Sequence, residues 1–588
     1  MTAAESPSSQ ARGSQALSSQ ALLNCLVREV SCPEDQVRSS DGHLVIRLAR
    51  SAVLLRAGTR RPSAGIGPRL TGAVEVCAAG SWREIGCVEL ARLIAGEMTM
   101  ASGVANPEFV DQVGSSQAAL AAIRHAAAAG SPADPESRLA RFLASEQSLV
   151  AGHRFHPAPK AREGTPRDWL RYAPEAGARF PLRFLGVRSD VLAGSGATPA
   201  LDQLGGPVPP EGYRLLPAHP WQFRLLARSP WLRSALSAGL LVDLGAGTRD
   251  VVPTSSVRTV YDPVADVFCK FSLNVRLTNC VRKSAWYELD GSVILTSLLT
   301  PLFADLGSSV VLLGEPGYRT VALASREAYE GLAVIVRDGV AGRVPEQVTP
   351  LLAASLTVPP GLFPGLSPGL FRGLFDERDA DWLLGWWLAY VRLVAAPVLG
   401  AFFQHGVVLE PHLQNVLVGV DEGGWPVRAI FRDLEGVKLL PDSHGALLDG
   451  LPSGIADGLR YDAQRGWDRV AYCLFVNHLA EIAAAIADRF GTGRLEATGL
   501  GATGLGATGF GATGFGAARF EAELWRGARD ELTVIAKELG WPPRLRALLA
   551  GVPLPAKANM RVRWARAADR EAQYVPVVNP LGNPDFPC

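Results

Sequence analysis

Two stretches near the middle of the chain combine hydroxyls with cations. PTSSVRTV, at Pro253–Val260, supplies Ser255, Ser256, Arg258 and Thr259; VFCKFSLNVRLTNCVR, at Val267–Arg282, adds Lys270, Arg276, Thr278 and Arg282. Apolar and polar residues alternate along the second stretch. A regular strand would place Lys270, Ser272, Asn274, Arg276, Thr278, Cys280 and Arg282 on one face, opposite Phe271, Leu273, Val275 and Leu277. Such a face suits triphosphate or polycarboxylate oxygens, which a guanidinium can grip with two parallel hydrogen bonds. The same alternation also describes the solvated face of an ordinary antiparallel sheet.

A second group lies further on, in LEPHLQNVLVG (Leu409–Gly419) and FRDLEG (Phe431–Gly436). The apolar runs Asn415–Val420 and Val427–Phe431 flank DEGGWP, a turn sequence, which predicts a hairpin. Antiparallel pairing brings Asn415 beside Arg432 and Asp433, so Glu410, His412, Asn415 and Asp433 converge at the hairpin base. Carboxylate and amide oxygens are the donors Mg²⁺ takes when it also binds nucleotide phosphates, and a histidine there can bind phosphate or move protons. A capped turn with a satisfied histidine has the same composition. In EQSLVAGHRFHPAPKAREG, His153 and His156 precede Lys160 and Arg162. Gly152, Pro157 and Pro159 exclude a helix, so the segment reads as a loop presenting His and Lys to an anion. HPWQ, His219–Gln222, reads as a turn around a packed tryptophan. No GxxxxGK[ST], no helix-opening GxGxxG and no GxSxG occurs, so a nucleotide user must work without those devices.

The elements that position these residues span more than one core, since 588 residues exceed a single domain. Lys plus Arg number 58 against 57 Asp plus Glu, a formal net charge of +1, so any anionic substrate depends on local cations. That balance argues against a nucleic-acid or membrane-surface partner. Eight scattered cysteines without a CxxC pair predict reduced thiols in a cytosol. Met1–Gln20, rich in Ser, Ala and Gln, reads as a disordered tail without a signal sequence. Strand-like runs (HLVIRLARSAVLL, AVEVCAAG, REIGCVEL) follow, then Ala-rich helix around Gln117–Ala129 and another helix over Glu136–Val150. Trp382–Phe403 is apolar enough to suggest a membrane span. Arg392 near its middle would cost roughly 2.5–3.5 kcal/mol there, which favours a helix buried between layers. PPGLFPGLSPGLFRGLF, from Pro359, reads as an ordered loop or connection. The repeat ATGLGATGLGATGFGATGFG carries too much glycine for a helix and reads as a flexible insertion.

Six of these segments, in order over residues 146–436, resemble the IucA/IucC family of siderophore synthetases that act independently of nonribosomal peptide synthetases. They are GHRFHPAPK with Arg162 and Gly164, HPWQ, TSSVRT, the run Lys270–Thr278–Arg282, EPHLQN and RDLEG. The C-terminal helices are similar to the family's ferric-reductase-like region. The resemblance implies an α+β fold with mixed sheets and a cupped-hand, three-part architecture. A thumb over 21–140 would follow the 1–20 tail, with fingers over 141–345. A palm with a helical C-terminal region would fill 346–588 and carry the low-complexity loop at 497–516.

The resemblance also implies roles. Ser256, Arg258, Lys270, Thr278 and Arg282 would bind ATP phosphates and the carboxylate substrate, with His153 and Lys160 on the nucleotide. His412 would contact substrate and phosphate, while Glu410, Asn415 and Asp433 would hold Mg²⁺ and nucleotide. Catalysis would rest on Lys270, Arg282 and His412. The implied partners are a small carboxylate, citrate by default, and an amine, on a cytoplasmic homodimer using ATP and Mg²⁺. In the implied reaction the carboxylate attacks the α-phosphorus of ATP, and an amine or hydroxylamine then takes the acyl group and releases AMP. Two other readings fit the residues: a kinase-like phosphotransferase, from the order His412, Asn415, Asp433, and a non-catalytic polycarboxylate or ferric-siderophore binder.

Overall fold

Along RLTGAVEVCA, Arg69–Ala78, burial alternates from residue to residue, the period-two signature of a strand with one face on a core. The computed structural model describes residues 7–129, 136–277, 280–358, 374–375, 378–497, 512–567 and 573–582. In it this strand is fourth in a five-stranded antiparallel meander: β1 (Val37–Ser40), β2 (His43–Arg47), β3 (Leu54–Arg61), β4 and β5 (Ser81–Glu84). Helices Pro7–Leu26, Cys87–Ser102 and Glu108–Ala129 share its core through Leu22, Leu26, Leu90, Ile94 and Phe109.

Two expectations are corrected here. Residues from Pro7 onward within the expected tail are helical, and Leu17, Ser18 and Ser19 are buried. The small side chains that suggested disorder instead permit close packing: a Cβ on Gly72 of β4 would lie 2.3 Å from the Ala16 carbonyl oxygen. REIGCVEL is not one strand, because β5 stops at Glu84 and Cys87 opens a helix capped by Gly86.

The second sheet has eight strands, every pairing antiparallel: β6 (Phe180–Arg188), β7 (Leu192–Gly196), β8 (Tyr213–Ala218), β9 (Leu241–Pro253), β10 (Thr259–Asp262), β11 (Val267–Phe271), β15 (Gly317–Val321) and β16 (Val334–Asp338). Its order is β7-β15-β16-β11-β10-β9-β6-β8. Between β11 and β15 the chain forms the hairpin β12 (Leu273–Leu277) and β13 (Cys280–Arg282), then the helix Trp286–Asp305 and β14 (Val310–Leu312). The single polar strand face expected from Lys270 to Arg282 is therefore not formed. The strand breaks at Ser272, and β11, central in its sheet, is buried on both faces.

A four-stranded sheet, β14-β20-β19-β17, combines β17 (Thr349–Leu352), β19 (Val416–Val420) and β20 (Pro426–Phe431) with β14, which runs parallel to β20. Short β18 (Val407–Val408) and β21 (Lys438–Leu439) pair beside it. The expected hairpin is present as β19–β20, with Val416 opposite Phe431. The division expected at 345/346 does not follow a layer, since β14 belongs to the sheet built otherwise from later residues. From β14 the chain steps into β15 within a few residues, so the two sheets abut.

The helix Ala380–His405 is an interior element, burying Trp386, Trp387, Tyr390 and Val391. Arg392 reaches its edge and pairs with Glu531 at 2.9 Å and Glu538 at 2.6 Å. This helix and Ala463–Phe490 are long and apolar enough to cross a bilayer, and both lie mostly inside the protein. Ala512–Gly516, the last repeat unit, opens the helix Ala512–Glu538, contrary to the expectation that its glycine excludes helix. Flanking apolar turns, with Phe520, Leu524 and Trp525 in the core, override its weak propensity. Residues 498–511 of the repeat and 359–373 of the Pro/Gly-rich passage lie outside the described residues.

The C-terminal β22 (Leu554–Lys557) pairs with β23 (Tyr574–Val577), and the helix Asn559–Trp564 returns to the N-terminal core through Met560 and Trp564. Glu29 fastens this clasp, accepting from the backbone N–H of Met560 at 2.8 Å and of Arg561 at 3.0 Å. Burial raises its carboxyl from 4.5 to about 7, outweighing Arg28 and the two backbone donors. A folded-state value above the unfolded one gives stability that is full below the unfolded value and lost as pH rises through the folded one. Between about pH 5 and pH 8, wild-type stability in urea should fall more steeply than that of Glu29→Gln. Parallel curves would refute the assignment.

Candidate active site

Lys270 is 1% exposed, so its ammonium must be matched by protein carboxylates. Nζ donates to Asp433 Oδ1 at 2.5 Å and lies 3.0 Å from Glu435 Oε2. Arg258 donates to that same Glu435 oxygen at 2.6 Å. Arg337, diagonal to Lys270 across the β11–β16 register, lies 3.3 Å from Asp433 Oδ1 and donates twice to the buried Glu315. Burial alone would lower the Lys270 ammonium, but Asp433 and Glu435 hold it above the usual lysine range. Burial would raise both acids. Lys270, Arg337 and Arg258 instead keep Asp433 well below its ordinary value, and Lys270 and Arg258 bring Glu435 to about 2. Glu288 behaves oppositely: burial and the Glu435 charge lift it to about 7.

The backbone at two of these positions is strained. Asp433 has φ 73° and Val257, in the β9–β10 turn, has φ 63°, a conformation β-branched residues rarely adopt. The turn is held from inside: Thr254 N and Oγ1 both donate to the Thr259 carbonyl at 2.9 Å. Ser255 N and Oγ donate to Glu146, which is fully buried and pairs with Arg432 at 2.6 Å. One carboxylate thus ties the TSSV turn to the residue preceding Asp433. Ser256 Oγ lies 3.1 Å from Thr259 Oγ1.

At the hairpin base Arg432 N donates to the Asn415 carbonyl at 3.0 Å, and Asn415 Nδ2 to the Glu410 carbonyl at 3.3 Å. Glu410 Oε1 meets Arg469 at 2.6 Å. Gly436 allows this approach, because a Cβ there would fall 1.9 Å from Glu410 Oε2. Glu410, Asn415 and Asp433 line one small cavity. His412 Nδ1 accepts from Gln414 N at 3.2 Å; burial lowers its value, with Glu410 and Asp433 opposing. Behind the loop runs a π-helical stretch, Tyr472–Leu479. His478 donates through Nδ1 to the Pro411 carbonyl at 2.7 Å and accepts from Tyr390 Oη at 2.5 Å. Asn477 accepts from Leu413 N at 3.3 Å and stands 2.8 Å from His153 Nε2. Burial, then Arg28 and His156, take His153 down to about 3, so its imidazole is neutral at pH 7.

Arg258, Lys270, Glu410, Asn415 and Asp433 are therefore gathered at one junction, with His412 beside them. His153 reaches the same loop through Asn477. The Arg282 carbonyl accepts from Arg258 at 3.3 Å. Lys160 is placed elsewhere: its buried ammonium donates to Glu175, which Arg162 also engages at 2.9 Å. Its stem packs under the left-handed Gly152, where a Cβ would lie 3.0 Å from Lys160 Cε. Thr278 lies outside the described residues. HPWQ is structural: His219 caps its helix, Trp221 stacks on Tyr172 with centroids 5.6 Å apart, and Gln222 bonds Asn274 and Gly331. Sequence reasoning missed Glu146, Glu315, Arg337, Glu435, Glu288, Asn477 and His478. Only Glu435 had a visible signal, inside RDLEG.

The fold is shared with solved structures. The chain superposes on ATP-bound aerobactin synthetase IucA from a hypervirulent pathotype of Klebsiella pneumoniae with TM-score 0.77 and 23% identity, covering 96% of this chain and 99% of that one. Petrobactin biosynthesis protein AsbB from Bacillus anthracis str. Sterne gives TM-score 0.73 at 17% identity, over 98% and 96%. Residues 141–358 match the IucA / IucC family, and residues 385–495 the family described as ferric iron reductase FhuF-like transporter. Rhizobactin siderophore biosynthesis protein RhbC of Rhizobium meliloti (strain 1021) is 28% identical over 75% of each chain. L-2,3-diaminopropanoate–citrate ligase of Staphylococcus aureus (strain NCTC 8325 / PS 47) is 29% identical over 59% of this chain and 62% of its own length.

Breaking a buried charge pair from one side leaves the other charge uncompensated. Lys270→Met should therefore cost about 3 kcal/mol in chemical denaturation, and adding Asp433→Asn should restore part of that loss. A double variant no more stable than Lys270→Met would show that the pair is not coupled.

Proposed function

We propose that the protein activates a carboxylic acid of the citrate type with ATP and condenses it with an amine to form an amide. The observation that carries this reading is the junction where Lys270, Arg258, Asp433 and Glu435 meet the cavity lined by Glu410 and Asn415. Support comes also from relatives named as citrate ligases and from a fold neighbour described as ATP-bound.

Glu410, Asn415 and Asp433 fit Mg²⁺ as donors. Among the described residues Glu410 Oε2, Asn415 Oδ1 and Asp433 Oδ2 make no hydrogen bond, so each has an oxygen available. Two carboxylates and an amide are few for a cation held by protein alone, and Mg²⁺ usually completes its shell with water and substrate phosphate. Bound there, it would neutralise phosphate charge. Lys270 and Arg258 are preorganised beside the same space, so they stabilise developing charge without reorganising. Arg282, His412 and Ser256 orient the substrate carboxylates, and His153 meets the nucleotide. Neutral His153 and His412 donate or accept hydrogen bonds at pH 7 without repelling the nearby guanidinium groups.

In the first step a carboxylate oxygen bonds to the α-phosphorus as the bond to pyrophosphate breaks. In the second, the amine nitrogen bonds to the acyl carbon while the carbon–oxygen bond to phosphate breaks. AMP leaves with the electron pair, and the nitrogen releases a proton to solvent. No covalent enzyme nucleophile takes part. Holding both reactants in place can lower the barrier by roughly 7–11 kcal/mol.

The test is product analysis with ATP–Mg²⁺ across panels of acids and amines. Acid-dependent pyrophosphate and AMP are expected, with Arg282→Ala and His412→Ala each losing about a hundredfold or more in rate while remaining folded. ADP as the product, or wild-type pyrophosphate release by both variants, would overturn the reading.

A further inference from the structure

His153 and His412 stand on loops far apart in sequence, and one side chain touches both loops. Asn477 Oδ1 accepts from the backbone N–H of Leu413 at 3.3 Å, and its Nδ2 lies 2.8 Å from His153 Nε2. The rest of the His412 loop is fastened independently. The Pro411 carbonyl accepts from His478 Nδ1 at 2.7 Å, and the Leu413 carbonyl from the Ala354 N–H at 3.1 Å. The Leu413 N–H, which directly follows His412, is thus the contact that Asn477 controls. The Tyr472 phenol also meets the Asn477 side chain, but a hydroxyl donates or accepts and so does not fix the amide's orientation.

The contacts of His153 cannot all be satisfied at once. Its Nδ1 accepts from the Phe155 N–H at 3.0 Å, so in the neutral ring Nε2 carries the proton. A protonated Nε2 has no lone pair to accept with, and Asn477 Nδ2 has only hydrogens to offer it. A cationic ring fares no better, because both of its nitrogens donate. Turning the amide over gives Nε2–H an oxygen, but it then sets an NH₂ group against the Leu413 N–H. The Asn477 oxygen therefore serves the loop of His153 or the loop of His412, and not both.

We propose that Asn477 is a positioning residue through which nucleotide binding prepares the acid site. A nucleotide oxygen that accepts from His153 Nε2–H satisfies that proton in the amide's place. Asn477 then commits its oxygen to the Leu413 N–H, and the peptide following His412 is fixed for the carboxylate. Acid and nucleotide consequently bind with positive coupling, each raising the other's affinity by the same factor. The assignment rests on the reading above, in which His153 meets the nucleotide and His412 the acid, and adds the link between them.

The test uses the full chain with Mg²⁺, citrate and α,β-methylene-ATP, a nucleotide that cannot lose pyrophosphate. Without acid, hydrogen exchange at the Leu413 amide of the wild type should slow by about fivefold or more when nucleotide is added. Asn477→Asp offers an oxygen to each donor at once, so exchange there should be slow with and without nucleotide. Asn477→Ala should exchange rapidly in both states. Calorimetry should show citrate binding about fivefold or more tighter with nucleotide in the wild type, and a ratio within about twofold of one in both variants. That ratio cancels any uniform effect of the charge introduced by Asn477→Asp. A Leu413 amide unchanged by nucleotide in the wild type, or slowed equally in Asn477→Ala, overturns the proposal. So does a wild-type coupling ratio kept in both variants. The expected exchange pattern, in a protein that binds no citrate and releases no pyrophosphate with any acid, removes the acid reading and keeps the role of Asn477.

Discussion

Lys270, Arg258 and Arg337 cannot be buried without Asp433, Glu435 and Glu315, and those acids cannot be buried without the cations. Each set left alone would carry a desolvation cost of several kcal/mol per charge. Lys270 and Arg337 stand on β11 and β16 of the eight-stranded sheet, while Asp433 and Glu435 follow β20 of the four-stranded sheet. The charge cluster therefore makes the two sheets meet at one place and in one register. Glu146 repeats the device a few residues away, joining Ser255 to Arg432.

The same constraint explains the strain. Asp433 and Val257 hold left-handed conformations that their side chains disfavour, and both sit in segments tied down from several sides. The polar groups of the neighbouring loops are positioned by elements distant in sequence. Two π-helical stretches, Val27–Ser31 and Tyr472–Leu479, border the GHRFHP loop. From the first, Arg28 stacks 3.9 Å over Phe155 and donates to the Lys557 carbonyl; from the second, Asn477 and His478 brace both histidine-bearing loops. Such wide turns redirect side chains and are common at functional positions.

Local chemistry was legible wherever it depended on near neighbours. Hairpin pairing placed Asn415 beside Arg432 because the DEGGWP turn and its flanking apolar runs fix the register locally. HPWQ was readable as a turn around a tryptophan for the same reason. The expected face from Lys270 to Arg282 failed because alternation says nothing of where a strand ends, and Ser272 breaks it. The expected tail failed because serine and alanine can mean either disorder or a closely packed helix, and only the surface of β4 decides between them. Lys160 was assigned to an anion from composition, yet its partner is Glu175, whose approach no spacing reveals.

Residue types and short-range order thus determined the hairpin and most of the polar groups gathered at its base. Tertiary structure alone decided which charge meets which. The partners of Lys270 lie more than a hundred residues away, and Glu146, Glu315 and Arg337 carry no local mark of their role. Burial is the physical reason: a charge's partner is fixed by the folded volume it must share, and that volume is assembled from segments the sequence keeps apart.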